Sequence, residues 1–160
     1  MAIARDQRSF QKLDWASTAL KEAGFAFDGL TLGPDPPDCV AMFESGRAGI
    51  EVTELVDAEA RKRTEAKNYT YREWDQPSFL SRIQENIDGK AAKPFQGGPY
   101  AHKVLAIWTD EPALVRATVE RFLAGQRFQA RAFDDVVLGL AYHPDHQYVA
   151  YRLTLSEPRG

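Results

Sequence analysis

Sulfur chemistry is nearly absent from this chain, which has one cysteine, Cys39. A single thiol excludes an internal disulfide framework and a cysteine-rich zinc site, and it fits a reducing, cytoplasmic setting. Long apolar runs are also missing. No stretch approaches the roughly 20 apolar residues that a membrane-spanning helix requires, so no membrane partner is expected. The opening residues, MAIARDQRSF, hold no apolar segment of the kind a signal peptide uses, so none is expected. Positive charge is not in excess. Twenty Lys and Arg stand against 23 Asp and Glu, for a formal charge of −3. Contact with nucleic acid would therefore have to come from a local basic patch rather than from overall charge. Internal repeats and low-complexity tracts are absent as well. What remains is a chain of 160 residues, 44% hydrophobic and 27% charged. That is enough for one globular domain, residues 1–160, with a real core.

Apolar spacing divides the chain into elements. Phe10, Leu13, Ala16, Leu20 and Ala23 recur at three- and four-residue steps, which predicts a helix from Ser9 to Ala23, with Ser9 as N-cap and Gly24 as its stop. Phe25 to Leu32 reads as a short edge strand. Gly33-Pro34-Asp35-Pro36-Pro37 is a stiff extended entry, because proline fixes its own φ and biases the residue before it away from helix. Asp38 to Phe43 and Ala48 to Val56 read as two strands joined by a turn at residues 44–47. A second helix begins near Pro77, with Leu80, Ile83 and Ile87 as its stripe. Val104 to Trp108 is apolar on both faces, as a buried central strand is. Pro112 to Ala124 reads as a third helix, and Val136 to Tyr142 with Tyr148 to Leu155 as a terminal hairpin. The order predicts an α/β fold: a mixed central sheet flanked by helices.

The stretch PPDCVAMFESGRAGIEVTEL places an acid, Glu51, between Ile50 and Val52 in the middle of a strand. One reading is a half-buried hairpin with a solvated face. The other is a metal site. Alternation puts Glu51 and Thr53 on one face, and pairing through the 44–47 turn brings Asp38 to the same end as Glu51. Two converging carboxylates at a sheet edge make an oxygen-rich site for Mg²⁺ or Mn²⁺, and the carboxylates should then lie roughly within 4 to 7 Å of each other. A metal held there lowers the pKa of water and neutralises charge on a phosphodiester.

Pro37-Asp38, a short hairpin, then Glu51-Val52-Thr53 resembles the PD-(D/E)XK nuclease superfamily, whose restriction-endonuclease-like core runs helix, three strands, helix, strand. The resemblance covers roughly residues 9 to 142. It implies a nuclease with Asp38 and Glu51 as ligands of Mg²⁺, and it implies a lysine two positions after the second acid. Thr53 stands at that position. Members of the superfamily move the lysine to a nearby helix, and Lys90 lies at the end of the Ile83–Ile87 stripe, where a long side chain reaches into an adjoining cleft. Lys93 is one step further. The implied function is metal-dependent hydrolysis of nucleic-acid phosphodiester bonds by Asp38, Glu51, Thr53 and Lys90. The alternative is an inactive domain of the same fold that binds nucleic acid or a protein partner.

Arg61, Lys62, Arg63, Lys67 and Arg72 form the densest basic cluster, interleaved with Tyr69, Tyr71 and Trp74. It reads either as a substrate-binding patch, with cations on phosphates and aromatic rings on bases, or as a solvated segment balanced by Glu59, Glu65 and Glu73. Cys39 alternates away from Asp38 and reads as a small core residue. Glu22 and Glu54 read as surface acids. His143, Asp145 and His146 fit turn chemistry rather than a ligand set. His102 opens a strand with no evident partner.

Overall fold

In a computed structural model, which describes residues 2–55, 74–141 and 148–156 with side chains from Phe10 onward, the chain opens with helix α1 (Ala2–Glu22). Strands β1 (Asp28–Leu32), β2 (Cys39–Phe43) and β3 (Gly46–Glu54) follow, then helix α2 (Gln76–Ala91) and strand β4 (His102–Thr109). Helix α3 (Arg116–Leu123), β5 (Phe128–Gln129), β6 (Asp135–Leu140), β7 (Val149–Arg152) and β8 (Leu155–Ser156) complete the order. Six strands form one sheet in the order β1-β2-β3-β4-β6-β7, and β5 pairs with β8 in a separate two-stranded sheet. The β1–β2, β2–β3 and β6–β7 pairs are antiparallel, while β3–β4 and β4–β6 are parallel. The architecture is a mixed α/β sheet with helices on both faces.

Each face has its own core. On one, Ala16, Ala19 and Leu20 of α1 sit on Ala41, Ala48, Ile50, Val52, Val104, Ala106 and Val137. Alanine on both sides of this contact lets the helix lie close to the strands. On the other, Phe79, Ile83 and Ile87 of α2 and Val119 and Phe122 of α3 cover Leu105, Ile107, Val136 and Leu138. Fully buried aliphatic side chains of this kind each contribute about 1.5–3 kcal/mol relative to exposure. Strand alternation assigns the site residues. Ile50 and Val52 belong to the α1 face. Glu51 and Thr53 therefore point to the α2 face, opposite Leu105 and Ile107 in register.

Several boundaries differ from the sequence reading. Helix α1 begins at Ala2 rather than Ser9, because Ala2, Ile3, Ala4, Arg5 and Arg8 contain no breaker and extend it. Phe10, expected in the buried stripe, is 59% exposed, and Ala19 takes part in the core instead. In α2 the buried position is Phe79, with Leu80 only packed against the edge. Asp75 caps that helix by accepting from the Ser78 amide at 2.8 Å, with Pro77 in the first turn. Helix α3 starts at Arg116, four residues after Pro112, because residues 111–114 make a turn that inserts Leu114 into the core. The strand expected from Tyr148 to Leu155 is broken. The Leu153 amide still donates to the Val136 carbonyl of β6 at 2.9 Å, after which the chain leaves β6 and pairs Leu155 with Phe128 of β5. Among the described residues, no helix is long and apolar enough to cross a membrane.

Candidate metal centre

The β2–β3 ladder ends where Cys39 faces Ile50. Continuing the register would set Asp38 opposite Glu51 and Pro37 opposite Val52, and proline has no amide to donate. The chain leaves the ladder here, and acidic side chains take over its hydrogen bonds. The Val52 amide donates to Asp38 Oδ2 at 2.8 Å, and the Asp38 amide donates to Glu51 Oε1 at 3.1 Å. Both acids are buried, at 7% and 3% exposure, which is rare for carboxyl groups without partners. Asp35 completes a cluster in which the ligand oxygens of Asp35, Asp38 and Glu51 all lie within 4.8 Å of one another.

The proline segment is pinned in this position. Gly33 donates its amide to the Asp38 carbonyl at 2.8 Å, Asp35 to that of Pro37 at 3.0 Å, and Gln96 to that of Pro36 at 2.8 Å. A Cβ at Gly33 would stand 2.3 Å from the Pro37 oxygen, so only glycine permits this approach. At Gly49 a Cβ would meet the Phe95 ring at 2.8 Å and Pro37 Cγ at 3.1 Å. Asp35 adopts φ of 56°, a left-handed conformation that aspartate tolerates better than most residues.

Two lysines approach from opposite faces. Lys12 of α1 places Nζ 2.9 Å from Asp38 Oδ1. Lys90, in the last turn of α2, places Nζ 3.8 Å from Glu51 Oε2, an ion-pair rather than a hydrogen-bond distance. One turn earlier, Asn86 Oδ1 accepts from the Thr53 hydroxyl at 3.3 Å. Strand and helix are matched here. Two residues of strand rise about 6.6 Å and four of helix about 6 Å, so Lys90 falls over Glu51 when Asn86 falls over Thr53. Asn86 also lines a cleft of about 180 Å³ with Glu54, Arg82 and Glu85.

Burial sets the electrostatics. It pushes the Glu51 carboxyl up to about 8, reinforced by the hydrogen bond and negative charge of Asp38 and opposed by Lys90. Asp38 is buried as well, but the hydrogen bonds from Glu51, the Val52 amide and Lys12 outweigh the burial and hold its carboxyl below the usual range. The two carboxyls are thus driven apart, Glu51 upward and Asp38 downward. Burial and the Asp38 charge push the Cys39 thiol up to about 12, so it is an inert core residue.

The donor set suits a hard cation. Three carboxyl groups supply oxygens only, and two bonds of about 2.0–2.4 Å span at most about 4.8 Å, a limit within which all the ligand oxygens lie. The structure brings together Asp38, Glu51 and Lys90, and it sets Thr53 two residues along the same strand face. Lys12 and Asp35 also belong to the cluster, although motif spacing does not point to them. Arg61, Lys62, Arg63, Lys67 and Arg72 lie outside the described residues, as do His143, Asp145 and His146. Glu22 is exposed, and Glu54 is half-buried beside the Asn86 cleft. His102 has a partner after all: its Nε2 meets Asp135 Oδ2, and Arg152 approaches the other oxygen at 3.2 Å. No known protein family, curated protein or solved structure matches this chain.

Proposed function

We propose that this protein is a divalent-metal-dependent nuclease that hydrolyses phosphodiester bonds of nucleic acid. The observation that carries the reading is the convergence of Asp35, Asp38 and Glu51 within 4.8 Å at the point where β2 leaves β3, with Lys90 over Glu51. The element order supports it. The described residues run helix, three strands, helix and strand, the order expected of the restriction-endonuclease-like core that the Pro37-Asp38 and Glu51-Val52-Thr53 motif implies.

Asp38 and Glu51 would hold Mg²⁺ or Mn²⁺, with Asp35 at the exposed rim. The ion supplies charge neutralisation at the phosphodiester and acidifies water. The rest is done by the chain. Val52 and Asp38 amides fix the two carboxylates in place, so little reorganisation precedes binding. Lys90 supplies the positive charge that Thr53 lacks, orienting water beside Glu51 and giving charge-assisted hydrogen bonds to a phosphate oxygen. Thr53 binds Asn86 and so keeps α2 in register over the strand. Arg61, Lys62, Arg63, Lys67 and Arg72, which directly follow β3 in sequence, would contact the backbone of the nucleic acid.

A second reading, a non-catalytic domain of the same fold, is favoured by one observation: the two buried acids already have lysine partners. A titration of Mg²⁺ and Mn²⁺ with single- and double-stranded DNA and RNA separates the two. Metal-dependent cleavage that is lost in Glu51→Gln supports the nuclease. Binding of nucleic acid without cleavage at any metal concentration supports the inactive domain. Cleavage that needs no metal would defeat both.

A further inference from the structure

We propose that Lys12 is the internal counter-ion of this centre and that a divalent cation enters by displacing its ammonium from Asp38. The inference rests on the metal-centre reading and adds how that site is filled. Asp38 Oδ2 is engaged by the Val52 amide at 2.8 Å, within the sheet. Oδ1 is held by Lys12 at 2.9 Å, through a side chain on a flexible stem. Oδ1 is therefore the oxygen whose partner can leave. The ion pair of Lys12 is with Asp38, while that of Lys90 is with Glu51.

A cation on Asp38 would lie about 2.1 Å from its oxygen. An ammonium kept at 2.9 Å from that oxygen would then stand no more than about 5 Å from the ion, at a part-buried site where the two positive charges repel. One of the two has to go. Exposure decides which lysine yields: the Lys12 side chain is 43% exposed and that of Lys90 29%, and Lys12 alone grips Asp38 at hydrogen-bond distance. Its ammonium swings toward solvent, where hydration replaces the lost pair. The centre is thus closed by its own lysine until a cation of higher charge competes.

Mn²⁺ alone is the probe, titrated calorimetrically into the wild type, Lys12→Met and Lys90→Met at pH 8. Lys12→Met is expected to bind Mn²⁺ about tenfold more tightly than the wild type, with a smaller change for Lys90→Met. A second measurement uses the intact protein and so holds even if Lys12→Met does not fold. The rate of Lys12 acylation, read by peptide mass spectrometry, is expected to rise when Mn²⁺ is added. Wild-type binding with no tightening in a folded Lys12→Met protein, or with Lys12 acylation unchanged or slowed, overturns the proposal and leaves the metal centre standing. No binding by the wild type or by either variant overturns the metal centre itself, and this proposal with it. Binding by Lys12→Met alone supports the proposal, since the lysine then holds the site shut.

Discussion

The backbone amide of Asp38 donates to the side chain of Glu51, so the first acid of the pair orients the second. The Asp38 carboxylate meanwhile caps Val52, the next residue of Glu51's own strand. The two acids thus replace ladder hydrogen bonds at the place where proline stops the strand. An arrangement that satisfies the backbone has a structural use. It also leaves two buried carboxyl groups close together, which is costly unless a cation or a shared proton compensates. Metal binding and the proton on Glu51 are two answers to the same problem, and they can be set against each other.

Metal affinity should therefore depend on pH. A ligand carboxylate must be ionised, so a cation has to expel the proton from Glu51, whose carboxyl is pushed up to about 8. The affinity for Mn²⁺ is expected to climb about tenfold per pH unit from pH 6 to 8 and then level off. In Glu51→Gln binding should be weak, and its pH dependence over that range flat. An affinity in the wild type that is constant between pH 6 and 8 would mean that Glu51 is not a ligand.

Stability without metal should run the other way. Glu51 has its folded pKa above its ordinary value, so the folded state holds a proton that the unfolded chain releases. Its contribution is complete below about pH 4.5 and is lost as pH rises toward 8. Asp38 has the opposite sign: its contribution is present above about pH 4 and is lost in acid. Urea melts should show a maximum near pH 5 and a decline of a few kcal/mol at most by pH 8. Glu51→Gln should flatten that decline, because the amide keeps the shape and the acceptor for the Asp38 amide without the charge. A wild-type decline that persists unchanged in the variant would assign it to another group.

Much of this centre could be read from spacing, and the unread part has a physical reason. Alternation fixes the facing of Glu51 and Thr53, and an apolar stripe at Ile83 and Ile87 fixes the edge on which Lys90 lies. Both are local rules. Lys12 reaches Asp38 across 26 residues of sequence, from a helix whose stripe says only which face is apolar. Asp35 joins through a left-handed backbone turn between prolines, and spacing carries no record of that turn. The two-residue strands β5 and β8 are too short for any periodic signal. Pairing between them breaks the strand that alternation predicts after Tyr148. After Pro112 the chain makes a turn, the Leu114 amide donating to the Glu111 carbonyl, and Leu114 is buried in the core before the helix starts at Arg116.

Gly49→Ala tests the support beneath the acids. Gly49 lies on the same strand face as Glu51, and a methyl group there would meet the Phe95 ring at 2.8 Å and Pro37 Cγ at 3.1 Å. Phe95 or Pro37 must shift, and overpacking of this kind costs about 1–3 kcal/mol. Pro37 is bonded directly to Asp38, so the disturbance should reach the centre. Thermal melting should show a lower Tm, and calorimetry weaker Mn²⁺ binding. An unchanged Tm with full metal affinity would show that the proline segment does not hold Asp38.

The position of the positive charge can be moved and tested last. Thr53 and Lys90 serve the same strand face from different elements, and the matched rise of strand and helix puts Lys90 over Glu51 when Asn86 covers Thr53. If Lys90 acts as the missing lysine, Lys90→Met should reduce cleavage about 100-fold or more, in the range for loss of one preorganised charge at a transition state. Mn²⁺ binding should change little, since the carboxylates remain. Adding Thr53→Lys to that variant returns an ammonium to the strand, two residues from Glu51 at a half-buried position beside Asn86. The double variant should recover part of the lost rate, and the measurement is single-turnover cleavage at saturating Mn²⁺. Recovery identifies the lost function as a positive charge at this spot rather than packing by the Lys90 stem. Full activity in Lys90→Met would remove the residue from the mechanism, and failure of Thr53→Lys to restore any rate in a folded, metal-binding protein would show that the helix position cannot be exchanged for the strand.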